Sequence, residues 1–506
     1  MGLDIGGYRL IKSQSQGSFS MDIKKIKYSY KTKPYAHQKT VLEASWAARY
    51  WALFMEMGTG KTKVALDTMG MLYENKDINA ALIIAPKGVY DNWVKGEIPA
   101  HLPDTIERVL LRWTPSNTKK FQEELRVITF EKTDSLKIFV MNVEAFSSPK
   151  GTKAAQTFLS KNPENMVIVD ESTTIKNRKA ARTKNILGLE ELSKYRRILT
   201  GSPVTKSPMD LFSQCLFLAA RALGFNSYFA FQGRYAMVQR RTMGHRSFQE
   251  IVGYRRLDEL NEKLSVFSSR ILKEECLDLP DKVYVRREIE MTDEQNKLYT
   301  QMKQLALAQL NNGDLATTAS VLTQIMRLQQ ICCGFLQPDE GEIQPIQNNR
   351  LSGLMSVTDE LRGKVIIWAS YTHDIQRIAS ALRDRFGPEA VATYYGETPQ
   401  NERQEIVEKF QDANSELRFF VGQPKTGGFG ITLHQATTVI YFSNSYDLEI
   451  RLQSEDRAHR IGQKKSVTYI DLVSPNTIDE KVLNALREKV GLAGQVLGED
   501  VSSWLS

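Results

Sequence analysis

Cysteine is scarce in this 506-residue chain. Cys215, Cys276, Cys332 and Cys333 show no CxxC spacing, and the six histidines do not cluster with them. That pattern speaks against a disulfide framework or a cysteine-ligated metal, and suits buried or incidental thiols in a reducing compartment. Long apolar runs are also missing: nothing approaches the roughly 18 residues that a membrane span needs. The amino terminus, MGLDIGGYRL, lacks the apolar stretch of a secretory signal. Gly6 stands where a myristoylation signal wants Ser or Thr. No tandem repeat or low-complexity tract stands out. The expectation is a soluble cytoplasmic protein with no membrane partner.

What the chain does have is a surplus of positive charge, with 67 Lys and Arg against 59 Asp and Glu and a net charge of +8. A pI near 9.0 suits a polyanionic partner. The stretch KKIKYSYKTK at 24–33 interleaves lysines with tyrosines, which fits either a grip on a phosphodiester backbone or a solvated arm. Hydrophobic content of 42% and charged content of 25% are those of a globular protein. The length suggests roughly three units of 100–200 residues.

Short β-rich runs recur, ALIIAP at 81–86, FVMN at 139–142, MVIVDE at 166–171 and RRILTG at 196–201, separated by polar or helical stretches. This is the pattern of βαβ units around a buried parallel sheet. A second series follows: KVIIWAS at 364–370, AVATYYG at 390–396, LRFFVGQ at 417–423, TVIYFSN at 438–444 and VTYIDLV at 467–473. The fold class is therefore α/β with two lobes. Residues 206–280 show no clear strand and carry aromatics and arginines, among them Tyr228, Phe229, Arg234 and Arg240. They read as a helical insertion whose aromatics form either a small core of their own or a contact surface. Residues 292–334 read helical. The boundaries drawn are a basic segment at 1–34, a first lobe at 35–281 and a second at 282–506.

Two constellations carry chemistry. In LFMEMGTGKTKVALDTMG at 53–70, an apolar approach enters Gly58-Thr59-Gly60-Lys61-Thr62 and a helical pattern follows. Such glycines let backbone N–H groups turn onto a triphosphate at a helix amino terminus. Lys61 would reach the β- and γ-phosphates, and Thr62 would bind Mg²⁺. The strict pattern wants another glycine where Met55 stands, and a plain glycine-rich helix start is the alternative. MVIVDEST then ends a buried strand with Asp170 and Glu171. Asp170 could hold Mg²⁺ through water, and Glu171 could polarise an attacking water. An exposed acidic pair is the plainer reading, but it rarely caps an apolar strand.

Further motifs stand in order along the chain: PYAHQ at 34–38, APKGVYDNWVKGE at 85–97, LTGSPVTKSPMDLF at 199–212, VIIWASYTHDIQRIASAL at 365–382, TGGFGITLHQATTVIYF at 426–442 and RLQSEDRAHRIGQKKSV at 451–467. With EMGTGKT, they make residues 35–490 resemble the superfamily 2 helicases, and within them the Snf2-type double-stranded DNA translocases. DRAHRIGQ at 456–463 is the most specific of them. The resemblance implies two RecA-like lobes, ATP and Mg²⁺ as cofactors, and DNA as partner. Gln38 would read adenine with Tyr35 nearby. Met57, Gly58, Thr59, Gly60, Lys61 and Thr62 would hold the phosphates, and Gly428 and Gly430 would complete the nucleotide contacts. Arg457 and Arg460 would be arginine fingers, their permanent charge and fork fitting phosphate oxygens. Gln453 would contact the γ-phosphate or its water, and His459 would only pack.

The chain departs from the family at two places. The carboxylate motif MVIVDEST ends in Ser172-Thr173 where members carry DEAH or DEGH, so coupling to the family's motif III, which LTGSPVTKSPMDLF at 199–212 resembles, is in question. The stretch that resembles the family's motif V, TGGFGITLHQATTVIYF at 426–442, is preceded by Gln423-Pro424-Lys425 in place of Ser-Thr-Arg, which leaves Lys425 the electrostatic part of a backbone contact. No bromodomain, chromodomain or RING segment is recognised, which favours a compact phage or bacterial translocase. The function expected is ATP-driven remodelling of branched DNA, by branch migration or fork regression, in repair or recombination. Displacement of proteins such as a polymerase from duplex DNA is the alternative, and an ATP-switched DNA-binding module that does not move is another. Preference for forks is expected to reside in the amino-terminal segment, with Tyr28 and Tyr30 as stacking residues.

Overall fold

The computed structural model describes residues 28–87, 89–116, 118–243, 246–276, 279–311, 318–338, 341–427, 431–460 and 462–497. The chain divides into two compact units, lobe one up to Met237 with Gly253–Asp278, and lobe two over Leu279–Gly491 with Val238–Val252.

Lobe one is organised by helix α1 (Ala36–Ser45), strand β1 (Tyr50–Met55), helix α2 (Lys61–Glu74) and strands β2 (Ala80–Ala85), β3 (Arg108–Arg112), β4 (Leu136–Asn142), β5 (Asn165–Asp170) and β6 (Tyr195–Leu199). Every residue of β2 and β5 is buried. AALIIA and NMVIVD can therefore be apolar almost throughout, as strands covered on both faces must be. All pairings are parallel, in the order β3-β4-β2-β5-β6-β1. The carboxyl ends of β5, β6 and β1 thus lie side by side.

The segment 206–280 corrects the strandless expectation. It contains the helices Leu211–Leu218, Tyr228–Tyr235 and Leu257–Ser265, but also strands β7 (Ala236–Met243), β8 (Arg246–Tyr254) and β9 (Ser268–Ile271). Strands β7 and β8 form a two-stranded sheet of their own, and β9 adds to the lobe-one sheet beside β1 in parallel. Both features escape a search for apolar runs. Met237 to Arg241 are exposed, so β7 has no covered face, and β9 is a four-residue edge strand with only Ile271 buried.

Lobe two holds β10 (Lys282–Glu288), the helices Asp293–Asn311 and Thr318–Cys333, a short pair β11 (Phe335–Leu336) and β12 (Gln344–Pro345), and then β13 (Lys364–Trp368), β14 (Val391–Tyr394), β15 (Phe419–Gly422), β16 (Ala436–Tyr441) and β17 (Val467–Val473). Its main sheet is again wholly parallel, in the order β10-β17-β16-β13-β15-β14. Alternate residues feed two cores: Val365, Ile367, Phe419 and Val421 on one face, Ile366, Trp368, Phe420 and Val439 on the other. This is the two-residue period of a strand covered on both sides.

Among the described residues, no helix is long and apolar enough to cross a membrane. The four cysteines are free; Cys215, Cys332 and Cys333 are buried, and burial pushes the Cys276 thiol up to about 11.

Candidate active site

The link from β1 to α2 is built around two left-handed glycines, Gly58 (φ +83°) and Gly60 (φ +88°), a conformation that a Cβ makes costly. Gly60 caps α2 without a side-chain cap, and the first turn of this 14-residue helix holds no acidic residue. Its leading N–H groups and positive dipole end therefore suit an anion. The loop is held from behind. The Thr59 carbonyl accepts from His37 Nε2 at 2.8 Å and from Gln38 Nε2 at 3.0 Å, and Thr59 Oγ1 donates to the Glu56 carbonyl at 2.8 Å. In a trans peptide the N–H opposes the C=O, so tying the Thr59 carbonyl to α1 directs the Gly60 N–H the other way. A Cβ on Gly60 would collide with the Gln38 amide, and one on Gly201, after β6, would press 3.2 Å from Met57 N.

Lys61 is buried, with Nζ 3.5 Å from Glu171 Oε1; Thr62, next along α2, is half-buried. Asp170 ends β5 with both oxygens engaged, Oδ2 accepting from Trp93 Nε1 at 2.8 Å and Oδ1 from Glu171 N at 3.0 Å. Burial raises the Asp170 pKa, and the nearby Lys61 ammonium opposes that rise. Glu171 itself sits in the left-handed region at φ +45°, a strain of about 1–3 kcal/mol for a residue with a Cβ. Its Oε2 accepts from Thr200 Oγ1, beyond β6, at 3.4 Å. Three strand ends thus bring a cation, two carboxylates and a hydroxyl to an anion-binding loop.

This chemistry fits a nucleoside triphosphate. The glycine cradle and uncapped helix suit phosphates, and Lys61 supplies the counter-charge. No group of three His, Cys, Asp or Glu side chains among the described residues makes a metal cage. A divalent ion here would be Mg²⁺ of the kind held by one or two protein oxygens plus phosphates, with Thr62 and Asp170 as those oxygens.

Two residues of the site had no role assigned from the sequence. Ser172 Oγ donates to Gln214 Oε1 at 2.7 Å. Gln214 Nε2 in turn donates to the carbonyls of Pro203 and Asp210, both at 2.8 Å. The DEST sequence is therefore connected to the 199–212 stretch through a buried amide. The available signal was a lone glutamine inside the apolar helix LFSQCLFL. His37 is the other; its signal was its place beside Gln38.

Gln38 is buried, and its amide is used inside the chain, Oε1 accepting from Tyr35 N at 3.0 Å and Nε2 donating to Thr59 O. It braces the phosphate loop. Tyr35 is 58% exposed with its ring stacked on His37. Tyr28 and Tyr30, expected to stack on bases, pack against the lobe-one core. Tyr28 Oη donates to Asp67 Oδ1 at 2.9 Å, and Lys63 lies over the Tyr30 ring. Both rings are half-buried by these contacts; Lys24, Lys25 and Lys27 lie outside the described residues.

In lobe two, the helix Leu448–Glu455 leads into DRAHR. Gln453 is buried, its Nε2 3.4 Å from Glu449 Oε1. Arg457 is buried as well, with Nε donating to the Gln453 carbonyl at 3.0 Å and Nη1 to the Ile431 carbonyl at 3.1 Å. Arg460 is half-buried and reaches the Ile431 carbonyl at 3.3 Å. His459 Nε2 donates to the Pro280 carbonyl at 2.7 Å. Underneath, Arg451 binds both Asp471 oxygens and Glu455, while Glu455 also takes Lys282 and Tyr284. This buried ion network anchors the helix to β10 and β17, and the cations hold the Glu455 carboxyl down to about 2 against the opposing effect of burial. Gly428 and Gly430 lie outside the described residues.

Comparison with known proteins gives matches across this framework. The SNF2-related domain matches residues 38–335, and the helicase conserved C-terminal domain matches residues 347–462. An uncharacterized ATP-dependent helicase of Mycoplasma genitalium is 25% identical over 460 residues, covering 89% of this chain and 40% of that protein. The transcription regulatory protein SNF2 of Saccharomyces cerevisiae is 27% identical over 466 residues, covering 87% of this chain and 26% of that protein. The chain spans less than half the length of these relatives. Among solved structures, the Sulfolobus solfataricus SWI2/SNF2 ATPase core in complex with dsDNA is 23% identical, with a TM-score of 0.41 and 94% of each chain covered.

Proposed function

Because the chain belongs to the SNF2-related domain family, we propose that it is a DNA-dependent ATPase that uses hydrolysis to move on duplex DNA, and that its task is to remodel branched DNA by branch migration or fork regression. The observation that carries the ATPase reading is the convergence of Lys61, Asp170, Glu171 and Thr200 on the loop with left-handed Gly58 and Gly60. In this reading the N–H groups at the start of α2 bind the phosphates, and Lys61 neutralises them. Thr62 and Asp170 hold Mg²⁺, which supplies charge compensation at the phosphoryl group. Glu171, placed by its strained backbone and by Thr200, orients and polarises the attacking water. Arg457 and Arg460 of lobe two stabilise charge in the transition state, and Tyr35 stacks on the base.

A relative of Arabidopsis thaliana, 27% identical and named a probable ATP-dependent DNA helicase, supports DNA as the partner, and the net charge of +8 is compatible with a polyanion. Contacts to the backbone dominate for such a partner and carry little sequence information. The Ser172–Gln214 link favours a motor over a non-moving switch, because it joins the carboxylate strand to the segment after β6.

The test is ATPase activity measured in parallel on single-stranded, duplex, forked and four-way DNA. Duplex stimulation with a further rise on forks and junctions is expected. Equal stimulation by linear and branched duplex would favour displacement of bound proteins as the task, and no stimulation by any DNA would remove the motor reading.

A further inference from the structure

One aromatic of the 206–280 segment is not used by its core. The helix Tyr228–Tyr235 buries Phe231 and Tyr235 completely, and Phe231 packs on Phe212 and Phe225. Phe229 points elsewhere and is 68% exposed, the most exposed large hydrophobic side chain among the described residues. It is not a frayed residue, since its N–H donates to the N-cap Ser227 Oγ at 3.2 Å. Its ring meets Tyr228 edge-on at 5.8 Å, and Tyr228 is wedged against Phe212 at 5.6 Å.

Across this pair lies Arg178, whose guanidinium is 4.1 Å from the Tyr228 centroid and 5.4 Å from that of Phe229. Among the described residues no carboxylate pairs with Arg178. Exposed Asn177 and Lys179 flank it. The one-turn helix Ser172–Ile175 and Lys176–Asn177 separate Arg178 from Glu171, and Lys176 Nζ is pinned to Thr205 Oγ1 at 2.7 Å.

From this juxtaposition we infer that Phe229, Tyr228 and Arg178 form a stacking platform for unpaired nucleobases of DNA. The inference rests on the functional reading above and deepens it, by naming where a fork or junction is distinguished from plain duplex. An exposed ring gains from stacking against any base, because every base has a π-face. An unpaired guanidinium adds cation–π attraction and a phosphate contact at the same place. Paired bases keep their faces inside the stack, so the platform discriminates by unpairing and not by sequence. A protein partner would also meet an exposed aromatic, but the uncompensated cations beside it favour a polyanion.

The experiment uses the full chain and two DNAs of equal duplex length, one blunt and one forked with unpaired arms of roughly ten nucleotides, within the usual range of single-strand sites. Phe229→Ala and Arg178→Ala should each weaken fork binding about tenfold, the effect of losing stacking on a base. Blunt-duplex binding and the ATPase it stimulates should stay unchanged. Phe229→Trp, which keeps a stacking face, should keep fork affinity. Wild-type protein on a fork with abasic arms should fall to the level of Phe229→Ala, and the variant should lose nothing further there. Unchanged fork affinity in both alanine variants, an equal loss on blunt duplex, loss in Phe229→Trp, or indifference to abasic arms each overturns the platform. A wild-type chain that responds to no DNA overturns the functional reading itself, and this is distinguishable because it precedes any comparison of variants.

Discussion

Lys61 and Glu171 stand 3.5 Å apart at the end of the glycine loop, and each leaves a different deficit when replaced. Lys61→Ala removes the cation for the phosphates and should abolish turnover. Glu171→Gln keeps the shape and should retain nucleotide while stalling hydrolysis; wild-type turnover in it would sink the assignment. Gln214 is a subtler case. Gln214→Leu leaves the Ser172 hydroxyl and the Pro203 and Asp210 carbonyls without this partner, a loss of about 1–3 kcal/mol for buried polar groups. If that link orients the carboxylates, kcat should fall about tenfold with little change in KM for ATP. Ser172→Ala should then add almost nothing in the double variant; additive losses would show two separate structural defects. In lobe two, burial lifts the Asp374 carboxyl to about 7, with Arg377 and Arg350 pulling the other way. The folded state therefore holds a proton that the unfolded chain has released above about 4, so stability should decline as pH rises from about 4 to about 7. Asp374→Asn should flatten that slope in thermal melts at a series of pH values.

At the scale of elements, the glycine loop depends on a neighbouring helix for its conformation. Helix α1 holds the Thr59 carbonyl with two side chains. The segment at Tyr28 and Tyr30 is likewise fastened to α2, through Asp67 and Lys63. Burial lies behind the raised pKa of Asp67, so its carboxylate depends on Lys63 and on the Tyr28 hydroxyl for compensation. Tyr28→Phe should lower stability by about 1.5–3 kcal/mol, the range for a hydrogen bond to a charged group. The loss should be equal on forked and linear DNA once temperature is adjusted. A fork-specific defect with unchanged melting would return base stacking to this tyrosine.

For the molecule as a whole, hydrolysis in the proposed reading needs groups from both lobes. Arg460→Ala should lower turnover about 10³-fold with a much smaller effect on nucleotide affinity, and Arg460→Lys should rescue only partly, because a point charge lacks the fork. Arg457→Ala should show the same kinetic loss together with a lower melting temperature, since its guanidinium is buried on the Gln453 and Ile431 carbonyls. Turnover by lobe one alone, ending before residue 282, at the rate of the full chain would remove the arginines from the mechanism.

Features made by consecutive residues were legible in the chain. Gly58 to Thr62 declare a tight turn into a helix because the backbone must turn within five residues, and the apolar run of β5 announces a strand covered on both faces by its composition. The parallel sheets follow from the same local logic, repeated at β2, β13 and β16. Other features depend on which distant residues burial brings together. Strand β9 exists because β1 offers it an edge, and β7 and β8 pair without an apolar face to advertise them. Gln214 meets Ser172 across 42 positions, and Tyr28 packs half-buried against the core where Phe229 is left exposed. Two aromatics look alike in a sequence; whether a ring is a core residue or a surface is set by what packs over it, and that is a property of the folded chain.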